Sequence, residues 1–378
     1  MKYKNILIDG RAWSRNSAGV SMFLSGVLSA WVPQWPDCRF YILLPKGLDK
    51  TINIDKCHQN LMLLDYGSHF FRKIPNIIII QLLVPYLCRR LHISLYYAPV
   101  PHIPYLLPTS VSTLVTVHDV VNIEMPGTMS WTNRMASSFF FGQAIKRADH
   151  IWCNSRYTKG KVEQYFPVRK SVEIFVGAAV DRKTFFQRNL SDEEKTQVRK
   201  HYGIDNRFAL FVGSLEPRKN LQFLLKVIAE LYRSHHIQLV VVGGKGWKNS
   251  MLKDIVESES FPKASTIFCG YVNDQELSML YNTADCFVSA ALMEGFGMPQ
   301  LEALLCGCPV VTAHNTAMIE VAEGKSGAIT VEGYNPVDWQ QAILQVVERH
   351  TTVDTTQLNE YDWTTIVKRL SAYLDDHK

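Results

Sequence analysis

Short apolar runs recur along both halves of the chain, each followed by a stretch long enough for a helix. In the first half they fall at residues 6–8, 39–44, 95–97, 112–117 and 150–153, and in the second at 208–212, 238–242, 266–268, 286–289 and 309–312. Short apolar strands alternating with helices read as a parallel sheet covered on both faces. Two successive sets predict an α/β protein of two doubly wound, Rossmann-like domains facing across a cleft. The divide falls in a polar stretch where Ser191-Asp-Glu-Glu194 has the pattern of a capping box opening a charged helix. The expected parts are an N-terminal domain over 1–180, a linker over 181–206, a C-terminal domain over 207–357 and a final segment over 358–378. In that last segment apolar residues between Tyr361 and Leu374 recur at helical spacing, which predicts a helix that packs on a domain surface or crosses back to the first domain.

Composition narrows this picture without changing it. A length of 378 residues suits two domains of roughly 150 to 200 residues each. Hydrophobic residues at 47% and charged residues at 20% exclude a disordered chain. Residues 1–9 read as a first strand and not as a signal peptide. The longest apolar stretch, 74–88, is broken by Pro75, Asn76, Gln81 and Pro85 and falls short of the roughly 20 residues of a spanning helix. The expected location is therefore cytoplasmic. Eight cysteines without a Cys-x-x-Cys pair predict reduced, buried thiols and no zinc site.

Charge is uneven. Residues 1–185 hold 22 basic against 11 acidic residues, leaving 18 against 24 in the remainder. A basic first half suits an anionic membrane surface or a phosphate-bearing acceptor, and a solvated basic face is the plain alternative. Phe70-Phe-Arg-Lys73, Cys88-Arg-Arg90 and the stretch 131–147 combine apolar and basic side chains, as a surface resting peripherally on the inner leaflet requires. Core helices with basic ends account equally for the same residues. Nucleic-acid binding rests on nothing beyond that charge and is not expected.

The most informative segment is Glu294-Gly-Phe-Gly-Met-Pro-Gln-Leu-Glu302, which follows a buried strand and opens a helix. Pro299 fits the first helical turn, Gly295 and Gly297 let backbone approach a ligand, and the amides of Gly297, Met298 and Gln300 face a helix N-terminus that attracts phosphate. Glu294 and Glu302 flank the turn, so a diphosphate seated there extends its sugar towards one acid and its ribose towards the other. Earlier, Arg218 and Lys219 stand side by side between a strand and a helix start, where the helix dipole disfavours cations. This placement predicts that a ligand's negative charge neutralises them, with Arg218 as a fork and Lys219 as a point charge.

With these segments the chain resembles a family-four glycosyltransferase of the GT-B fold, most closely the mannosyltransferase B-like branch that builds bacterial O-antigen. The resemblance rests on Thr116-Val-His118-Asp119, Val212-Gly-Ser-Leu-Glu-Pro-Arg-Lys-Asn220, Val242-Gly-Gly-Lys-Gly-Trp247, Gly270-Tyr-Val-Asn-Asp-Gln-Glu-Leu277 and the Glu294 to Glu302 segment. It is dense after Phe208 and sparse before it. It implies that Arg218 and Lys219 hold the diphosphate, that Tyr271 and Val272 line the base pocket, and that Glu302 binds the ribose. It also implies that Glu294 and the backbone of Phe296, Gly297 and Met298 orient the donor sugar, that His118 faces the reacting centre, and that Gly19 approaches the phosphates. Ser214 stands where many relatives carry arginine, Val176-Gly-Ala-Ala-Val-Asp181 replaces a common Pro-Asn-Gly-Val-Asp, and Ile319 replaces a common proline.

The implied reaction is retaining transfer of a hexose, with mannose favoured, from a nucleotide diphosphate sugar to a polysaccharide or lipid-linked glycan acceptor in O-antigen, lipopolysaccharide or capsule synthesis. No cofactor and no metal are expected, since no Asp-x-Asp pair presents itself and protein cations can neutralise the leaving phosphate. Glu294 and His118 are the expected catalytic side chains. His118 also has the alternative of a satisfied core histidine. A nucleotide-sugar epimerase of the same fold and a non-catalytic sugar-nucleotide-binding subunit stay open as competing readings. A nicotinamide enzyme is not expected, because no Gly-x-Gly-x-x-Gly follows the first strand.

Overall fold

The computed structural model describes residues 2–13, 18–45, 58–66, 76–125, 140–244 and 250–376. Residues 70–73, 131–139 and 245–247, which carry some of the apolar-basic and glycine-rich segments above, lie outside the described residues. The chain divides into two compact units, one of Met1–Val180 with Glu360–Lys378 and the other of Asp181–Asn359.

The first unit is built on a parallel sheet of β1 (Asn5–Asp9), β2 (Arg39–Pro45), β3 (Leu61–Tyr66), β4 (Leu95–Ala98), β5 (Ser112–Val117), β6 (His150–Cys153) and β7 (Ile174–Val176). Their order is β3-β2-β1-β4-β5-β6-β7. Central strands are covered on both faces, so Ile6, Leu7 and Ile8 are all fully buried and alternation is lost. The Trp363–Asp376 helix belongs to this unit. Trp363 packs edge-on against Phe23 at 4.9 Å, and a Cβ on Gly26 would lie 2.0 Å from its indole nitrogen. Only glycine lets the Ala18–Gln34 helix approach that ring. Tyr373 adds a hydrogen bond from its hydroxyl to the Glu173 carbonyl at 2.5 Å.

The second unit carries β8 (Phe208–Val212), β9 (Gln238–Val242), β10 (Thr266–Gly270), β11 (Cys286–Ser289), β12 (Val310–Ala313) and β13 (Ala328–Val331). These pair in parallel in the order β10-β9-β8-β11-β12-β13. Before β8, the helix Asp192–Tyr202 opens with the expected capping box: Ser191 Oγ accepts from the Glu194 amide at 3.2 Å, and Glu194 accepts from the Ser191 amide at 2.8 Å. Cys38, Cys88, Cys153, Cys286, Cys306 and Cys308 are free and buried, and Cys269 is free and half-buried. No helix among the described residues is long and apolar enough to cross a membrane.

Candidate functional site

In an open parallel sheet the chain leaves a crevice where successive connections run in opposite directions, beyond the carboxyl ends of the strands. In the second unit that point lies between β8 and β11. The loop after β8 carries Arg218 and Lys219, and the loop after β11 carries Glu294. Topology thus joins residues about 75 positions apart.

Glu294 is shared. Lys219 Nζ contacts its Oε1, and Arg218 Nη1 donates to Oε2 at 3.3 Å. Arg218 also donates through Nε to Glu216 at 2.8 Å and through Nη1 to the Met293 carbonyl at 3.3 Å. Burial works to raise the Glu294 carboxyl, but Lys219 and Arg218 outweigh it and hold the group below the usual carboxylate range. The expectation that only a ligand neutralises the two cations is corrected here. Glu216, two residues before Arg218, and Glu294 already do so, the second because β11 lies beside β8 and brings in an acid that no local sequence window contains.

Gly297 takes a left-handed conformation at φ 92° and starts the helix Met298–Leu305, with Pro299 in its first turn. The Gln300 amide donates to the Gly297 carbonyl at 3.2 Å and so is engaged within the turn, leaving the amides of Gly297 and Met298 for an anion. Phe296 is buried below the turn. A narrow pocket beside it is lined by Lys219, Ser289, Glu294, Gly297, Gln300 and Met318.

Glu302, one turn into the helix, is 2% exposed and accepts from the Tyr281 hydroxyl at 3.0 Å. Burial pushes its carboxyl up to about 7, Tyr281 opposes the shift, and Asp274 adds to it. Tyr271 follows Gly270, whose φ of 69° turns the chain at the end of β10. The ring of Tyr271 is 78% exposed while neighbouring Val272 is buried, so of the two only Tyr271 offers a stacking face without rearrangement.

His118 and Gly19 belong to the first unit. His118 lies just past β5 and donates from Nε2 to the Pro99 carbonyl at 2.9 Å, while its ring meets Phe23 edge-on at 4.8 Å. Burial lowers its pKa, with the Pro99 bond and Asp119 opposing, so the ring is neutral at pH 7 with Nδ1 as an acceptor. Gly19 is exposed, and a Cβ there would meet nothing within 4 Å.

Sequence reasoning missed Tyr281, Asn315 and Thr316. Thr316 Oγ1 accepts from the Glu294 amide at 3.3 Å, and Asn315 Nδ2 donates to the Ala291 carbonyl at 3.1 Å, so together they hold the loop that presents Glu294. Their signal is the polar run His314-Asn-Thr316 directly after a buried strand, at the carboxyl edge where sites form.

Residues 193–361 match the family model described as glycosyl transferases group 1. O-antigen chain mannosyltransferase B of Escherichia coli is 37% identical over 124 residues, which cover 32% of this chain and 32% of that protein, so the chain spans about a third of that relative's length. O-antigen chain mannosyltransferase RfbU of Salmonella typhimurium is 23% identical over 72% of both chains. Among solved structures, HepE of Anabaena in complex with UDP-glucose superposes with a TM-score of 0.76 over 98% of this chain and 99% of that one, at 16% identity. The chain thus has the two-domain GT-B fold, and its match to glycosyl transferases group 1 is confined to residues 193–361.

Proposed function

We propose that the protein is a retaining, metal-independent glycosyltransferase that moves a hexose, with mannose favoured, from a nucleotide diphosphate sugar to a polysaccharide or lipid-linked glycan. The observation that carries this reading is the Arg218–Lys219–Glu294 cluster at the switch point, beside the N-terminus of the Met298–Leu305 helix. A diphosphate entering there competes with Glu294 for both cations and meets the Gly297 and Met298 amides. Glu294, released from its ion pairs, is then free to accept from hydroxyls of the donor sugar. Mannosyltransferase relatives favour mannose, and with it a guanosine diphosphate donor, in O-antigen, lipopolysaccharide or capsule synthesis.

In the proposed front-face displacement, the bond between the anomeric carbon and the β-phosphate oxygen breaks and its electron pair leaves with the diphosphate. The acceptor hydroxyl oxygen bonds to the same face of that carbon, and its proton passes to the departing phosphate. Arg218 and Lys219 supply the charge stabilisation that a divalent ion gives elsewhere. His118 of the first unit, which the resemblance assigns to the reacting centre, presents Nδ1 of a neutral ring as a hydrogen-bond acceptor.

The expected setting is cytoplasmic, with the first unit resting on the inner leaflet. Leu82 and Tyr86 on the Asn76–Arg90 helix are 64% and 54% exposed, and with Arg89 and Arg90 they share one helical face.

Thermal shift with GDP, UDP, dTDP and their common sugars tests the reading. One nucleotide should raise the melting temperature, and Glu302→Ala and Lys219→Ala should each abolish that rise. No shift from any of them overturns the nucleotide-sugar reading, and binding without transfer to any acceptor favours an epimerase or a non-catalytic binding subunit.

A further inference from the structure

We propose that Tyr281 is a positioning residue for the nucleotide's ribose: its hydroxyl fixes one oxygen of Glu302 so that the other accepts from a ribose hydroxyl. This rests on the reading above that Glu302 meets the ribose.

Tyr281 is fully buried on the Asp274–Thr283 helix, which packs against the Met298–Leu305 helix bearing Glu302. Its ring lies between Phe185 and Phe287, with centroids at 6.0 and 6.1 Å, so its orientation is set by packing and does not depend on the hydrogen bond. The hydroxyl donates to Glu302 Oε2 at 3.0 Å, and among the described residues Tyr281 is the one hydrogen-bond donor to that carboxylate.

A buried carboxylate accepts several hydrogen bonds, and holding it with one leaves it under-satisfied. Oε1 therefore awaits a donor, and a ribose hydroxyl is a neutral donor of the right kind. Among the described residues, no cation acts on Glu302. Asp274, from the same helix as Tyr281, opposes ionisation of Glu302, and Cys306 lies one turn further along the Glu302 helix with Arg188 beyond it. Burial and the Glu302 charge together keep the tyrosine hydroxyl protonated, so it remains a donor throughout the neutral range. Without that hydroxyl, Glu302 loses its counterweight to burial and its fixed rotamer together.

The test is calorimetric titration of the wild type, Tyr281→Phe and Glu302→Gln with GDP and UDP, and with the 2′,3′-dideoxy form of whichever binds. The wild type should bind the ribonucleotide roughly tenfold more tightly than the dideoxy form. Tyr281→Phe keeps the ring and should weaken the ribonucleotide about fivefold while leaving the dideoxy form within about twofold. The wild-type preference for ribose should also grow as pH rises through about 7, and in Tyr281→Phe that limb should move to higher pH. Equal weakening of both nucleotides by Tyr281→Phe assigns Tyr281 a packing role and overturns the proposal. So does an unchanged ribose preference in Tyr281→Phe when Glu302→Gln abolishes it. If Glu302→Gln itself leaves the preference intact, or if neither nucleotide binds, the assignment of Glu302 to the ribose fails and takes this inference with it.

Discussion

Each unit places an acid and an arginine from one loop at its switch point, yet only the second adds an acid from another loop. In the first, Asp9 ends β1 and Arg11 stands two residues on in the same loop, giving Nε to Oδ1 at 2.8 Å and Nη2 to Oδ2 at 2.5 Å. Tyr96 adds its hydroxyl to Asp9 at 3.2 Å, and His102 Nδ1 meets the same Arg11 Nη2 at 3.2 Å. Asp9 is 1% exposed, and Tyr96 reaches it from β4, which pairs with β1. In the second, Arg218 likewise keeps Glu216 within its own loop, but both adjacent cations also share Glu294 from another loop, and it is this cross-loop pair that a ligand's charge can replace. A salt bridge closed within one loop pins a fold, and one closed between loops can be exchanged for a substrate's charge.

The sharpest way to break this contrast is Asp9→Ala. It leaves Arg11 as an uncompensated buried charge and should cost about 3 to 5 kcal/mol of stability by denaturant unfolding. Nucleotide affinity at the second unit should stay within about twofold. Burial works to raise the Asp9 carboxyl, but Arg11 holds it below its ordinary value, so its stabilisation is present above the unfolded-state pKa and lost as pH falls through the folded one. Asp9→Ala should therefore flatten acid unfolding as well. A variant that melts normally would show that the cluster is not a pin.

Lys219→Ala should do the reverse. Glu294 keeps Arg218, so the fold loses only about 1 to 2 kcal/mol, while transfer falls on the order of 10²- to 10³-fold through lost stabilisation of the leaving diphosphate. Comparable losses of stability and turnover would mean that the pair is structural in both units.

Which of these features could be read from the chain follows from burial. Central strands such as β1, β4, β8 and β9 stand out as continuous apolar runs because both their faces are covered. The strands absent from that pattern, β3, β7 and β13, all lie at sheet edges, where Leu61–Tyr66 and Ala328–Val331 are largely half-exposed and Ile174–Val176 is three residues long. The site divides along the same lines. The glycine and proline turn before Met298 is local chemistry and legible, whereas the sharing of Glu294 by Arg218 and Lys219 depends on β11 lying beside β8. Tyr281 looks like any aromatic on an amphipathic helix until the fold sets it against Glu302.

Glu302 sharpens the comparison at its smallest scale, since it is a buried acid on the Met298–Leu305 helix that, among the described residues, pairs with no cation. Its carboxyl titrates near 4.5 when exposed and is pushed up to about 7 by burial. Between those values the folded protein binds more protons than the unfolded chain, so the group's contribution to stability declines as pH rises through that window and is level above it. Glu302→Gln removes the ionisation and keeps an acceptor for Tyr281. It should raise stability by about 1 to 3 kcal/mol at pH 8, with the difference closing towards pH 5, as read by urea unfolding at both values. The same variant should bind nucleotide more weakly, because the amide loses the charge that strengthens a hydrogen bond from ribose. Equal stability of the two proteins at pH 8 would mean that Glu302 is ionised at little cost in the free protein, and that its desolvation is met without the nucleotide.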